Sequence, residues 1–360
     1  MKLLTIVGAR PQFIKAATVS RCLRREHYQH INEVLVHTGQ HYDHEMSAQF
    51  FDELDIPRPV YNLKIGSGTH GAQVGGIMTA LENVIDSERP DWVLVYGDTN
   101  STLAAALVAA KTPLSLAHIE AGLRSHRRGM PEEVNRIVTD RFSDLLFCPT
   151  ELAYRNLRSE GREYGVHLVG DVMYDGFEFY RSRLDHKGIL RRYELAKREY
   201  VLATLHRAEN TGDRERLNTL LRGLGKLGMK LPVIMPLHPR TRRFIKDANM
   251  EFPPSIRTTD PLPYLEILAL TCNAAVITTD SGGLQKEAYF ARVPCVTLRD
   301  ETEWVETLEH GWNRLIVGKE SALVDIADQA SRLPDGTPHP DCYGDGNAAE
   351  KILDLLGRDT

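Results

Sequence analysis

Three acidic residues stand where apolar sequence gives way to a turn: Asp98 in Tyr96-Gly97-Asp98-Thr99-Asn100, Glu120 in His118-Ile119-Glu120-Ala121-Gly122-Leu123-Arg124, and Glu132 in Met130-Pro131-Glu132-Glu133. A carboxylate beside a buried strand is costly without a partner or a purpose. Taken singly, each suits a helix cap or an ion pair. Converging on one surface, the three raise one another's pKa, and the set then holds both an acid and a base near neutral pH.

His206, in Thr204-Leu205-His206-Arg207-Ala208-Glu209-Asn210, directly follows an apolar run, and His238, in Pro236-Leu237-His238-Pro239-Arg240, holds the equivalent place one run later. A lone histidine is usually structural; two at successive strand ends, beside Arg207 and Arg240, suit a phosphate leaving group. No HExxH spacing occurs, and no metal is expected. His37, His41 and His44 fall in a polar loop after the second strand, which reads equally as a ligand-lining loop, a second ligand site or plain surface.

Two glycine turns follow predicted strands. In Gly8-Ala9-Arg10-Pro11-Gln12-Phe13-Ile14-Lys15 the turn runs into a helix begun by Pro11, whose missing N–H costs nothing at a first helical position. Backbone amides there, with Arg10 and Lys15, make a compact anion site, although such turns also occur without ligands. Thr278-Thr279-Asp280-Ser281-Gly282-Gly283 leads into Leu284-Gln285-Lys286-Glu287-Ala288. Here a hydroxyl and two glycines let the backbone approach a diphosphate of UDP type, and Glu287 can reach back to a ribose diol; the plainer alternative is an Asp/Ser helix cap.

The elements that position these residues alternate. Strands are predicted at 3–7, 33–37, 92–96, 114–118 and 145–148, then at 200–204, 232–236, 275–279 and 295–298, with helices between them. That alternation predicts an α/β protein with two doubly wound parallel sheets, whose ligands sit at the carboxyl ends of the strands. The boundary falls near Val169-Gly170-Asp171, where a short strand is followed by a helical stretch, giving a first domain over 1–170 and a second over 171–345. Residues 181–199 read as a charged, helical connecting region, and 334–346 as a loop before a last helix.

The chain has 360 residues, enough for two separate cores. A net charge of -5 gives no basic field for a nucleic-acid backbone, so nucleic acid is not an expected partner. The amino-terminal apolar run is too short for a signal peptide, and no run approaches the roughly 18 to 20 residues of a membrane span, so no membrane contact is expected. Five scattered cysteines without CxxC spacing suit a reducing cytoplasm.

Together Gly8-Ala9-Arg10-Pro11-Gln12-Phe13-Ile14-Lys15, Gly97-Asp98-Thr99, His118-Ile119-Glu120-Ala121-Gly122-Leu123-Arg124, Pro131-Glu132-Glu133-Val134-Asn135-Arg136, Asp280-Ser281-Gly282-Gly283 and Arg299-Asp300-Glu301-Thr302-Glu303 resemble the non-hydrolysing UDP-N-acetylglucosamine 2-epimerases. The resemblance implies a GT-B architecture, two Rossmann-like domains around a cleft, a homodimer, and a C-terminal helix, here 346–360, returning to the first domain. It implies interconversion of UDP-GlcNAc and UDP-ManNAc, for cell-surface polysaccharide precursors, by anti elimination of UDP to a 2-acetamidoglucal and re-addition, without NAD or metal cofactors. By motif, Asp98, Glu120 and Glu132 correspond to the acid/base carboxylates and His206 to a group at the departing phosphate. Arg10, Lys15, Arg136, His238, Ser281, Gly282, Gly283 and Glu287 correspond to UDP-sugar ligands.

Two positions depart from the family pattern: Gln12 replaces its usual Glu, and Trp304 its usual Arg. Both departures resemble a subgroup that includes epimerases of UDP-2,3-diacetamido-2,3-dideoxyglucuronate, an alternative substrate. Other readings of the same residues are a GT-B glycosyltransferase with a UDP-sugar donor, a hydrolysing epimerase and a non-catalytic UDP-sugar sensor.

Overall fold

The computed structural model describes residues 1–40, 51–127, 129–316, 320–334 and 336–358. His41 and His44 of the polar loop lie outside the described residues. The chain divides into two compact units, Met1–Glu178 with Asp341–Thr360, and Phe179–Pro340.

In the first unit the order is β1 (Lys2–Val7), α1 (Arg10–Leu23), β2 (Asn32–His37), β3 (Tyr61–Asn62), α2 (His70–Glu88), β4 (Trp92–Tyr96), α3 (Asn100–Ala109), β5 (Ser115–Ile119), α4 (Pro131–Phe142), β6 (Leu145–Cys148), α5 (Glu151–Ser159), β7 (Val166–Leu168) and α6 (Val172–Arg181). The strands form one parallel sheet in the order β3-β2-β1-β4-β5-β6-β7. β1 and β4 are buried almost throughout, as strands covered on both faces must be.

The second unit repeats the scheme with α7 (His186–Arg192), β8 (Val201–Thr204), α8 (Ala208–Thr211), α9 (Arg214–Gly228), β9 (Val233–Pro236), α10 (Pro239–Asp247), β10 (Ile256–Thr259), α11 (Tyr264–Asn273), β11 (Val276–Thr279), α12 (Gly282–Phe290), β12 (Cys295–Thr297), β13 (Asn313–Leu315) and α13 (Glu320–Ala330). Its parallel sheet runs β10-β9-β8-β11-β12-β13. Alternation along β8 sends Val201 and Ala203 into a core with Leu221 and Leu224 on one face, and Leu202 into a core with Leu270 and Ile277 on the other. The expected doubly wound α/β class is therefore observed in both units.

The last helix, α14 (Ala348–Arg358), packs on α1 within the first unit. Tyr28 donates to Asp354 at 2.8 Å, and the buried Asp175 accepts the Ala349 amide at 2.8 Å. The connecting region is less helical than its periodicity predicts: only residues up to Arg181 and those of α7 are helical, and turns and irregular chain fill the rest to Tyr200. There Glu194 and Arg198 adopt positive φ, which no helix continues through.

Candidate functional site

In each sheet the winding direction reverses between two neighbouring strands, β1 and β4 in the first unit and β8 and β11 in the second. At such a switch point the loops leave to opposite sides and open a crevice at the strand ends, where ligands of open α/β sheets bind. The chemistry-bearing residues collect at these two places.

In the first unit Asp98 follows β4 and Glu120 follows β5, its neighbour in the sheet. Glu120 is buried and bonds Lys15 of α1 at 2.5 Å. The pair lies against the Gly97 Cα: a Cβ there would come within 3.3 Å of the carboxylate and 3.4 Å of the ammonium. Asp98 pairs with the buried Arg136 of α4, while Asn135 donates to the Asp98 carbonyl at 2.8 Å. Burial raises the Asp98 pKa; Arg136 opposes the rise, whereas Glu120 and Glu132 reinforce it. Glu120 also holds left-handed backbone, φ 71°, which costs a non-glycine residue of order 1–3 kcal/mol and marks a constrained turn.

α4 carries its polarity inverted. Glu133, Asn135, Arg136, Thr139 and Asp140 are buried, while Val134 and Ile137 are exposed. Pro131 at the first turn and two glutamates beside the helix N-terminus suit its start. Of those glutamates, Glu132 is exposed, whereas Glu133 accepts from the Ser125 and His126 amides and lies 3.3 Å from Arg136. Burial works against the charged Glu133, yet these bonds hold its pKa below the ordinary value.

The first glycine turn differs from the anion site its sequence suggests. Gln12 Oε1 accepts the Gly8 and Ala9 amides at 2.8 and 3.0 Å, and Gln12 Nε2 donates to the Tyr96 carbonyl at 2.7 Å. Two turn amides are thus taken by the helix's own third residue, which ties the end of β1 to the end of β4. Arg10, half-buried, opens α1.

In the second unit the organising group is Asp280, fully buried at the end of β11. It accepts the His206 amide, the Arg207 amide and the Asn210 side chain, each at about 3.0 Å, and its Oδ1 lies 3.0 Å from His206 Nδ1. Burial disfavours its charge, but His206, the Arg207 amide and Asn210 outweigh burial and lower its pKa. The His206 side chain is 39% accessible, and its ring stands 5.8 Å from that of the exposed His238 at the end of β9.

Ser281 caps α12 by accepting the Leu284 amide at 3.4 Å, which leaves its hydroxyl proton able to donate outward. Gly282 and Gly283 place first-turn amides, which a helix cannot satisfy from within, at a half-exposed surface. A Cβ at Gly282 would approach Glu303 Oε1 to 3.1 Å and Trp304 Nε1 to 3.3 Å, so glycine is what admits a close backbone approach. Glu303 pairs with Arg299 at 2.7 Å and Arg207 at 3.4 Å; burial opposes its charge, but both cations pull its pKa down. Trp304 is buried with the Lys286 ammonium 4.0 Å above its ring, and Glu287 is buried one turn into α12. Among the described residues no group of three or more His, Cys, Asp or Glu is placed to hold a metal ion.

Asp280, Glu133, Asp140, Arg299 and Glu303 were not singled out from sequence. Asp280 reads as a helix cap there, and Glu133 is distinguished from Glu132 only by its spacing to Arg136 and Asp140, three and seven residues on along one helix face.

The profile of the family described as UDP-N-acetylglucosamine 2-epimerase matches residues 23–357. A Methanococcus maripaludis protein named UDP-N-acetylglucosamine 2-epimerase homolog is 47% identical, over 99% of both chains. The UDP-2,3-diacetamido-2,3-dideoxy-D-glucuronate 2-epimerase of Pseudomonas aeruginosa is 46% identical over 99% of this chain and all of its own. The crystal structure of Methanocaldococcus jannaschii UDP-GlcNAc 2-epimerase, in complex with UDP-GlcNAc and UDP, superposes with a TM-score of 0.89 at 39% identity, over 99% of this chain and 100% of that one. The two Rossmann-like units are of the GT-B class that these proteins share. With its motifs in order along almost the whole chain, this protein belongs to the UDP-N-acetylglucosamine 2-epimerase family.

Proposed function

We propose that the protein inverts carbon 2 of UDP-N-acetylglucosamine, interconverting it with UDP-N-acetylmannosamine by anti elimination of UDP through a 2-acetamidoglucal, then re-addition. The observation that carries this reading is the carboxylate set at the β4 and β5 ends: Asp98, with its raised pKa, beside the buried Glu120. The C2 proton of an N-acetyl sugar is barely acidic, so its removal must accompany UDP departure, and inversion needs a proton donor on the other face. Asp98, Glu120 and Glu132 supply those proton transfers, with Arg10, Lys15 and Arg136 as neighbouring substrate ligands. His206, oriented by Asp280, serves the departing phosphate, and His238, Ser281, Gly282, Gly283 and Glu287 hold the UDP moiety.

A second reading keeps the mechanism and changes the sugar to UDP-2,3-diacetamido-2,3-dideoxyglucuronate. The 46% identity to the Pseudomonas aeruginosa enzyme favours it. We also propose a homodimer in a reducing cytoplasm, serving polysaccharide precursors. The exposed Val134 and Ile137 on one face of α4 support self-association, and five free cysteines suit that compartment. Light scattering that returns a 40.6 kDa monomer would remove the dimer.

The test is incubation of the purified protein with each UDP-sugar separately, first without and then with a sugar acceptor, followed by proton NMR. Both C2 epimers should accumulate from one of the two sugars. Release of free N-acetylmannosamine would make the enzyme hydrolysing, and UDP release only with an added acceptor would make it a glycosyltransferase.

A further inference from the structure

Behind the carboxylate-bearing turns lies a buried polar network that the proposed chemistry does not use. His118 in β5 and Asp140 in α4 are 0% and 2% accessible. His118 Nδ1 meets Asp140 Oδ1 at 2.7 Å, and its Nε2 meets the Gly97 carbonyl at 2.7 Å. Asp140 Oδ2 accepts the Gly122 amide at 3.1 Å and Arg124 at 2.7 Å, and Arg124 continues to Glu160 at 2.7 Å.

The connections are specific in sequence. Glu120 is flanked two residues before by His118 and two residues after by Gly122, and both are held by the two oxygens of one carboxylate. Gly122 can supply that amide only as glycine: its φ is 82°, and a Cβ would stand 2.3 Å from the Ala153 carbonyl. The other end of the His118 ring holds Gly97, the residue before Asp98. Asp140 thus brackets the left-handed turn at Glu120 and, through one imidazole, anchors the turn at Asp98.

Burying ionic groups is weak as a source of stability, since well-packed apolar side chains do as well or better. Their specific yield here is position. A carbonyl and an ionised carboxylate only accept, so the two ring nitrogens of His118 each face an acceptor. Burial disfavours the Asp140 charge, but His118 and Arg124 outweigh it and lower its pKa, keeping Asp140 an acceptor for all three donors.

We propose that Asp140 and His118 are positioning residues that hold the Asp98 and Glu120 turns in register for proton transfer. This rests on the reading that Asp98 and Glu120 act on the sugar. Misplacement of a reacting group by about 1 Å can cost roughly 10²-fold in rate, so the effect belongs in kcat.

The test compares His118→Gln, whose side-chain Nε2 can still reach the Gly97 carbonyl, with His118→Asn, which reaches Asp140 but not Gly97, and with Asp140→Asn. The His118→Asn and Asp140→Asn variants should lose about 10²-fold in kcat with KM within about threefold, and His118→Gln should stay within about tenfold of the parent. With carbonyl-13C glycine, the Gly97 resonance should move in His118→Asn and stay in His118→Gln. That readout needs no turnover, so it decides the clamp even if the epimerase reading fails. Equal kcat losses in the Gln and Asn variants, or an unmoved Gly97 resonance in His118→Asn, would overturn the proposal.

Discussion

The pairing of Lys15 with Glu120 yields a quantitative prediction about the first unit. Their side chains are 5% and 8% accessible at 2.5 Å, so neither charge is well hydrated when the other is removed. Replacing Lys15 by Met leaves a buried carboxylate, and replacing Glu120 by Gln leaves a buried ammonium; removing one partner of such a pair costs about 3–5 kcal/mol. Removing both leaves an apolar stem beside a neutral amide, so Lys15→Met/Glu120→Gln should lie within about 2 kcal/mol of the parent, against roughly 6–10 for additive effects. The assay is hydrogen exchange of the β4 and β5 amides, because the two compact units make a global unfolding midpoint ambiguous. Each single substitution should speed exchange there by at least about 10²-fold, at about 1.4 kcal/mol per decade, and the double should restore most of the protection. A double variant whose loss equals the sum of the singles would show that the two charges do not stabilise one another, and the account of the β4 and β5 ends would fail.

Burial lifts the Asp175 pKa to about 6 from 3.8 despite its bonds to the Ala349 and Ala348 amides, so its ionised form opposes folding. This penalty is absent below the unfolded value, grows as pH rises through that window and reaches about 3 kcal/mol above it. The Asp175→Asn variant should accordingly slow hydrogen exchange of the first unit's α6 and α14 amides relative to the parent at pH 7.5 and match it at pH 4; faster exchange at pH 7.5 would mean that the amide bonds dominate. Gly282→Ala should raise KM for the UDP-sugar about tenfold with kcat nearly unchanged, as removal of uniform binding does, and an unchanged KM would remove the α12 N-terminus from the site.

Much of the scaffold was legible because buried strands of a parallel sheet are written as short continuous apolar runs. Trp92–Tyr96 and Leu145–Cys148 fall where the sequence predicts. The elements it did not reveal, β3, β10 and β13, are short edge strands with partly exposed side chains; in β10 both Arg257 and Thr258 face solvent. The strand expected at Val169 closes earlier, at Leu168.

The positions of Asp98 and Glu120 at neighbouring strand ends could be anticipated from strand spacing. Their partners could not, because α4 buries its charged face and exposes Val134 and Ile137, reversing the pattern on which helix orientation is ordinarily read. The use of Gln12 as a brace is equally invisible to composition, since it depends on a carbonyl 84 residues away.

The most direct test of the central claim is turnover of the UDP-sugar in heavy water, with hydrogen at carbon 2 followed by proton NMR and mass spectrometry. Elimination and re-addition at the Asp98 and Glu120 carboxylates predicts one solvent deuterium at C2 of the product, at a rate that falls by at least about 10²-fold in Asp98→Asn and Glu120→Gln. Product inverted at C2 that retains its original hydrogen, or full deuterium entry in both variants, would contradict it.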